Sequence, residues 1–506
     1  VRILLVNPSQ RAVYGRGIAP PYAPLGPLYV AAALERAGHE VAFFDHDIDS
    51  FRGAGLSALL SEFGPEIVGI STTTPTMGSA VRIARVARHL SGSTVVFGGA
   101  HPSLAPEDVL RFEEVDVVVA GEGEQTMVEL AGYLSGGGGS LEEIRGICYR
   151  DEGVFAATPA RAPDPDVDAI PFPARHLLRN PDAYSPPDAI ARPFVTLLAS
   201  RGCAHRCTFC STSALFGSRV RRRTVANTMA EIEECVDRYG IREVHLADDC
   251  FTSDPEWVLR FCEALAEREL GLNLFFMNGL RADQVDRRVL RALKSVGLVN
   301  VGFGVESGSQ TILDRARKGL RLPRVEESVA IAKELGLTTW AFFMIGLPGE
   351  DEGTVIDTVR MAKRLDPDFA KFFIFKPYPG SEAYALLDAQ GLIFDRCPDH
   401  YGLYGPPVHR LPGLSESRLA HWYRRANIEF YLRPRKMLRH LLRLRSLAQL
   451  RLNLRALRFL VQAVGRMGES ERLLVRREGE RPLSGRACEG SPGQAASVGS
   501  IREQGQ

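Results

Sequence analysis

The chain lacks any run of eighteen or more apolar residues, which leaves no candidate for a membrane-spanning helix. It also lacks the charged head and long apolar body of a secretory leader, because the opening VRILLVNPSQ has the pattern of a first β-strand. A cytoplasmic location is the expectation. Cysteine is scarce: nine in 506 residues, an odd number without the dense spacing of a secreted disulfide framework, so reduced thiols are expected. Net charge is nearly absent as well, 62 basic against 61 acidic side chains leaving +1. Without a global basic footprint or arginines interleaved with stacking aromatics, no nucleic acid partner is expected. No internal repeat of fixed period occurs. What remains is a chain 45% hydrophobic, long enough to bury a large core divided among two or three domains.

Residues 1–145 alternate apolar runs (RILLVNP, HEVAFFD, EIVGIST, STVVFGG, VDVVVAG) with amphipathic segments. That pattern predicts an α/β unit, a parallel sheet covered on both faces in the doubly wound, Rossmann-like manner. Ligands of such sheets sit beyond the strand C-termini. Those ends carry Ser71, Thr72 and Thr73, then Gly98, Gly99, Ala100 and His101, then Gly121, Glu122, Gly123 and Glu124. Glycine permits close backbone approach and hydroxyls supply hydrogen bonds, so this edge suits an extended polar ligand; the alternative is that the glycines only turn the chain. Residues 146–194, rich in proline and aspartate, read as a linker. Residues 195–394 resume the alternation with FVTLLASRG, EVHLADDCF, LNLFFMNGL, LVNVGFGVES, TTWAFFMIGLPGE and FAKFFIFKPYPG, predicting a parallel partial (β/α)6 barrel of TIM type. Reactive groups in such barrels gather at the C-terminal strand ends. Residues 395–469 form a helical, basic C-terminal region with arginines among leucines at helical spacing. It either makes peripheral contact with an anionic membrane or an acidic partner, or presents a solvated face over core-packed leucines. Residues 470–506, with Cys488, read as a disordered tail.

The loop SRGCAHRCTFCS after the first barrel strand places Cys203, Cys207 and Cys210 within eight positions. A structural zinc takes four ligands, whereas an iron–sulfur cube held by three thiolates keeps one iron open to a substrate or cofactor. A zinc half-site completed from elsewhere is the alternative. The spacing Cys203-x3-Cys207-x2-Cys210, with Phe209 just before the last cysteine, resembles the signature of the radical S-adenosylmethionine (SAM) superfamily. The resemblance implies a [4Fe-4S] cluster on those three cysteines, SAM chelated at the open iron, and reductive cleavage of SAM to a 5'-deoxyadenosyl radical, with an external electron donor of flavodoxin or ferredoxin type. It implies SAM contacts from Phe209, from Glu306 and Ser307 in FGVESGS, and from Ile345, Gly346 and Pro348 in FMIGLPGED. Asp248 in HLADDCF stands where the family has a second-strand motif touching the SAM amino group, with acids in place of Gly-Gly-Glu; Arg281 in NGLRAD and the KPYPGSE segment also match, with Tyr378 of the latter expected to face substrate, the alternative for each being a structural turn. Cys235, Cys250 and Cys262 are expected to be small buried hydrophobes.

The N-terminal segments PPYAPLGPLYVAAALERAGHEV, VGISTTTPT, VVFGGAHPS and VVVAGEGEQTMVEL are similar to the cobalamin-binding domain of a large radical SAM subgroup, which includes class B methyltransferases and the anaerobic magnesium-protoporphyrin monomethyl ester cyclase. The strand-end residues from Ser71 to Glu124 named above become the implied cobalamin contacts. The Asp-x-His-x-x-Gly motif that gives many cobalamin enzymes a lower axial histidine is missing, since FFDHDIDSFRG does not fit it. The leading expectation is methylation of an unactivated carbon of a small-molecule or lipid-like substrate, through the adenosyl radical and methylcobalamin. The alternatives are cobalamin-assisted oxidation or cyclisation without methyl transfer, and a non-catalytic corrinoid or iron–sulfur binding protein.

Overall fold

The computed structural model describes residues 1–436 except 16–19, 51–54, 187–188 and 435. The greater part of the basic C-terminal region and the whole of the tail, Cys488 included, lie outside the described residues.

The first sheet is built from β1 (Arg2–Asn7), β2 (Glu40–Asp45), β3 (Ile67–Ser71), β4 (Thr94–Gly98) and β5 (Val117–Val119), all parallel in the order β2-β1-β3-β4-β5. The period-two alternation of a strand buried on both faces explains the continuous apolar runs. Leu4 and Val6 of β1 join one core with Leu59, Leu60, Ala80 and Ala84 from the helices Leu56–Phe63 and Met77–Ser91. Ile3 and Leu5 join another with Leu28, Leu34, Met127 and Leu130 from the helices Leu25–Arg36 and Glu124–Leu134. The strand order reverses between β1 and β3, which opens a crevice at the C-terminal edge of the sheet.

Two further strands, β6 (Ile147–Asp151) and β7 (Val154–Ala157), extend this sheet antiparallel to β5. Their segment was expected to be linker. The sequence DEGV turns the hairpin, with Glu152 at φ 47° and Gly153 at φ 84°, the double positive φ of a tight two-residue connection. The rest of that segment packs on both neighbours: Tyr184 Oη donates to Asp45 at 3.0 Å, and the buried Glu231 is bracketed by Arg175 and Arg223.

The second unit starts at β8 (Phe194–Leu197), which is followed by a short antiparallel ribbon of β9 (Ser200–Arg201) and β10 (Arg221–Arg222). Then come β11 (Glu243–Leu246), β12 (Asn273–Phe276), β13 (Asn300–Glu306), β14 (Thr338–Ile345) and β15 (Phe369–Ile374). They pair in parallel as β8-β11-β12 and β13-β14-β15, with isolated bridges Leu274–Leu298 and Leu280–Phe303 joining the halves into the expected open barrel of six strands. Five of the helices around it begin at side-chain caps. Thr224, Asp254, Asp286, Asp351 and Ser381 accept from the backbone N–H of Asn227, Trp257, Val289, Thr354 and Tyr384. The described part of the C-terminal region packs back on the barrel through the helix Glu416–Tyr431. Tyr423, Ala426 and Phe430 enter the barrel core, and Tyr431 Oη donates to Ala370 O at 2.8 Å on β15.

Candidate active site at the domain interface

The ribbon β9-β10 follows directly from β8, so the loop 202–220 that it closes stands over the C-terminal ends of the barrel strands. This loop carries Cys203, Cys207 and Cys210, all free and half-buried. It is fastened at Thr208, whose N–H donates to Ala316 O at 3.0 Å and whose carbonyl accepts from Ala383 N at 2.8 Å. Among the described residues no three His, Cys, Asp or Glu side chains converge on a single metal ion. Three thiolates with one open corner suit a multi-iron cluster better than a closed tetrahedral zinc site.

Around the loop the structure gathers residues from distant strands. Glu306 ends β13 with φ 66°, a backbone region rare for a side chain with Cβ, and its Oε1 accepts from Lys318 Nζ at 2.8 Å. Gly304 makes room for that pair, since a Cβ there would lie 2.6 Å from Glu306 Oε1. Lys318 Nζ also lies 5.8 Å from the centre of the Phe209 ring. Burial works against the Lys318 charge, but Glu306 and Cys207 outweigh it and hold its pKa above the usual lysine value. Arg281 donates to Lys318 O at 2.8 Å and pairs with Asp283. Lys318 was not among the sequence candidates, because it sits in the short loop between the helices Gln310–Arg315 and Leu322–Glu334 with no motif of its own.

Cys250, expected to be a buried hydrophobe, lies behind the loop with its Sγ 3.1 Å from Cys203 Sγ. The hydrogen bond between them pulls the Cys203 thiol below its ordinary value and pushes Cys250 above it. Cys235 and Cys262 do pack in the barrel core as expected. Asp248 is fully engaged where β8 ends: Oδ2 accepts from Ala199 N at 3.1 Å and Oδ1 from Ser200 Oγ at 2.5 Å. Its neighbour Asp249 faces the cavity described below, its pKa pushed up to about 7 by burial and by the nearby Cys203 and Asp248. Ser307 is turned into the protein, 3.2 Å from Thr358 Oγ1. Ile345 is buried, and Gly346, at φ 99°, donates its N–H to the buried Glu350 at 2.6 Å while its carbonyl accepts from His409 Nε2 at 2.8 Å. Pro348 is half-buried in the turn that follows. Tyr378 Oη donates to Tyr401 O at 2.7 Å.

Facing the ribbon across the interface is a cavity of about 460 Å³, within the range of cofactor sites. Ser71, Gly98, Gly99, Ala100 and the whole run Gly121–Glu124 line its N-terminal wall. Arg201, Gly202, Phe216, Ala247, Asp249 and Met277 line the barrel wall. Gly99 has φ 96° and ψ −168°, and a Cβ on it would stand 2.8 Å from Thr72 O, so only glycine fits the cradle. Thr72, Thr73 and His101 do not line the cavity. His101 is buried behind it with Nδ1 3.1 Å from Thr74 Oγ1, and burial lowers its pKa to about 4. No histidine is among the described residues that line the cavity, in keeping with the missing axial-histidine motif. A glycine-cradled crevice at a topological switch point suits a large flat cofactor, and the thiolate loop suits an iron–sulfur cluster, so the residues present fit both groups.

A cofactor crevice facing a three-cysteine loop over a partial barrel defines a two-cofactor α/β enzyme of the radical type. Comparison with known proteins agrees. The radical SAM superfamily profile matches residues 197–362 and the B12 binding domain profile matches residues 12–131. The chain is 33% identical to an uncharacterized methyltransferase of Pyrococcus horikoshii over 441 residues, covering 87% of this chain and 94% of the relative. It is 29% identical to the cytidylyl-2-hydroxyethylphosphonate methyltransferase of Streptomyces wedmorensis, covering 82% and 86%. The fold is that of the radical SAM methyltransferase TsrM from Kitasatospora setae, solved with cobalamin and a [4Fe-4S] cluster bound, at TM-score 0.65 and 22% identity over 77% of this chain and 78% of that one. The chain belongs to the family of cobalamin-dependent radical SAM methyltransferases. Its cofactors are accordingly a [4Fe-4S] cluster, SAM and cobalamin, and the methyltransferase expectation stands ahead of the cyclase-like one. No described helix is long and apolar enough to cross a membrane.

Proposed function

We propose that this enzyme methylates an unactivated carbon of a small-molecule or lipid-like substrate admitted between the two domains. The observation that carries the reading is the shared cavity, with the glycine cradle on one wall and the base of the cysteine ribbon on the other. When bound, the cluster with SAM supplies one-electron chemistry and the corrinoid supplies methyl-carrying chemistry. The chain's own residues bind, orient and exclude water. Cys203, Cys207 and Cys210 hold the cluster. The Glu306–Lys318 pair and Arg281 place a polar, charged rim beside it for the amino-acid end of SAM, and the turn at Gly346–Pro348 offers backbone beside the fifth strand. Ser71, Gly98, Gly99 and Gly121–Glu124 cradle the corrinoid. Leu215, Phe216 and Met277 give the barrel side of the cavity an apolar patch beside Arg201 and Asp249, which helps shield a reactive intermediate from water. Hydrogen abstraction from carbon needs no general base, and none of the roles above requires one. Electrons come from an external flavodoxin- or ferredoxin-type donor, and no nucleic acid takes part. Peripheral membrane contact would fall to the basic region outside the described residues.

The test is anaerobic reconstitution with iron, sulfide and hydroxocobalamin, followed by visible spectra and quantification of 5'-deoxyadenosine and S-adenosylhomocysteine. Both products are expected from the wild type and no 5'-deoxyadenosine from the three cysteine variants. Deoxyadenosine without S-adenosylhomocysteine would favour oxidation or cyclisation, and a cluster without corrinoid binding would overturn the methyl-transfer reading.

A further inference from the structure

The two arginines at the base of the cysteine ribbon face one another directly: Arg201 of β9 is the cross-strand partner of Arg221 of β10. Like charges so placed repel, and here they are 11% and 6% exposed, too buried for water to screen them. Their counter-charges come from the other domain. Glu122 takes both Nη atoms of Arg221, at 3.0 and 2.5 Å, and stands 3.4 Å from Arg201, while Glu124 accepts from Arg201 at 2.6 Å. Arg201 also stacks over Tyr29, 4.9 Å from the ring centre, and Arg221 donates to Asp164 O at 2.7 Å. The two glutamates belong to the glycine run that walls the cavity, and that run is pinned by the Gly121 N–H donating to Ser103 Oγ at 2.9 Å. One four-charge cluster therefore belongs at once to the wall of the corrinoid crevice and to the stem of the loop that bears the cluster cysteines.

We infer that Glu122 and Glu124, with Arg201 and Arg221, are positioning residues that couple the two cofactor sites, so that filling the crevice steadies the cysteine ribbon and loading the ribbon tightens the crevice. The inference rests on the reading that the crevice takes a corrinoid. Glu122 and Glu124 thereby act on the barrel's arginines in addition to lining the cavity. Coupling of this kind is reciprocal: whatever factor one ligand confers on the other is returned.

The experiment is hydrogen–deuterium exchange of the full chain with and without hydroxocobalamin, read on peptides covering residues 200–222. Corrinoid titrations are run in parallel on cluster-free and cluster-loaded protein. In the wild type, hydroxocobalamin slows exchange in the ribbon, and cluster loading tightens hydroxocobalamin binding by about tenfold, within the usual span of site–site coupling. In Arg221→Gln, which changes no residue lining the cavity and leaves Glu122 the Arg201 guanidinium at 3.4 Å as its counter-charge, hydroxocobalamin still binds but both effects shrink. Arg221→Lys restores part of them. Unchanged ribbon exchange in a wild type that binds hydroxocobalamin, or equal coupling in Arg221→Gln, overturns the inference while leaving the functional reading intact. A wild type that binds no hydroxocobalamin overturns both.

Discussion

Gly99 offers the most direct test of the crevice. Its φ of 96° and ψ of −168° lie in a region used almost solely by glycine, where a side chain costs about 1–3 kcal/mol. The methyl of Gly99→Ala would also stand 2.8 Å from Thr72 O, 2.9 Å from Thr72 N and 3.2 Å from Ser71 Oγ. The first two are backbone atoms, and they are held: Thr72 N donates to Gly98 O at 2.8 Å and Thr72 O accepts from His101 N at 3.2 Å. Overpacking against atoms that cannot swing aside adds about 1–3 kcal/mol. Together the substitution should destabilise the N-terminal sheet by about 2–6 kcal/mol. At about 2–4 °C per kcal/mol for a unit of this size, the transition reporting that sheet moves down by about 4–24 °C. Gly26→Ala is the matched control. It lines the same cavity from within the helix Leu25–Arg36 with nothing within 4 Å of its would-be Cβ, so it should be neutral or slightly stabilising. Thermal unfolding of both variants beside hydroxocobalamin titrations provides the comparison. A Gly99→Ala protein as stable as Gly26→Ala, with unaltered corrinoid binding, would refute the account of the cradle.

Three further outcomes follow from the geometry. Alanine at Cys203, Cys207 or Cys210 should abolish the cluster's visible absorption after reconstitution, whereas Cys250→Ser should retain iron and sulfide near wild-type content; equal loss in all four would make Cys250 a ligand. Lys318→Met strands the buried Glu306 carboxylate and should cost about 3–5 kcal/mol, while Lys318→Met/Glu306→Gln should cost far less than the sum of the singles, and additive losses in denaturant titrations would show that the pair is not coupled. His101 has its pKa lowered by burial from 6.5 to about 4, so the unfolded chain takes the proton first as pH falls through 6.5 and stability drains between there and about pH 4. Between pH 7 and pH 5 its share of that loss is about 2 kcal/mol, partly offset by Asp45, whose carboxyl is raised to about 6 by burial and gains a proton on folding. His101→Gln should flatten the acid limb by about the His101 share, and an unchanged pH profile would contradict a neutral buried ring.

Features recorded in local periodicity were readable from the chain alone. The apolar runs of β1 and β3 announce strands buried on both faces, and Cys203, Cys207 and Cys210 announce themselves by spacing. Contacts between remote segments were not readable. Nothing near Glu122 in sequence tells that its counter-charge is Arg221, ninety-nine residues on, and the Lys318 pair likewise depends on a bulge at the end of β13. Asp248 was legible as a polar strand end, but its engagement with Ala199 and Ser200 depends on β8 lying beside β11. The β6-β7 hairpin was missed for a different reason: its DEGV turn signal was present, but the proline-rich stretch after it dominated the reading of the whole segment.

The return of residue 402 to residue 12 bears on how the protein is made. A Cβ on Gly402 would lie 1.8 Å from Ala12 O, so two backbones nearly four hundred positions apart touch with no side chain between them, and a Cβ on nearby Gly78 would meet Asp399 Oδ1 at 2.8 Å. On the ribosome the first sheet has all its strands once residue 157 has emerged and the barrel once residue 374 has, each able to fold as a unit. The seam between them, already pinned by the pairs of Glu122 and Glu124 with Arg221 and Arg201, is completed only by the segment that includes residues 399–402. A chain stalled after the sixth barrel strand would thus carry a formed first sheet and a barrel still short of the helix Glu416–Tyr431, with the backbone-to-backbone part of the joint unmade until residue 402 emerges.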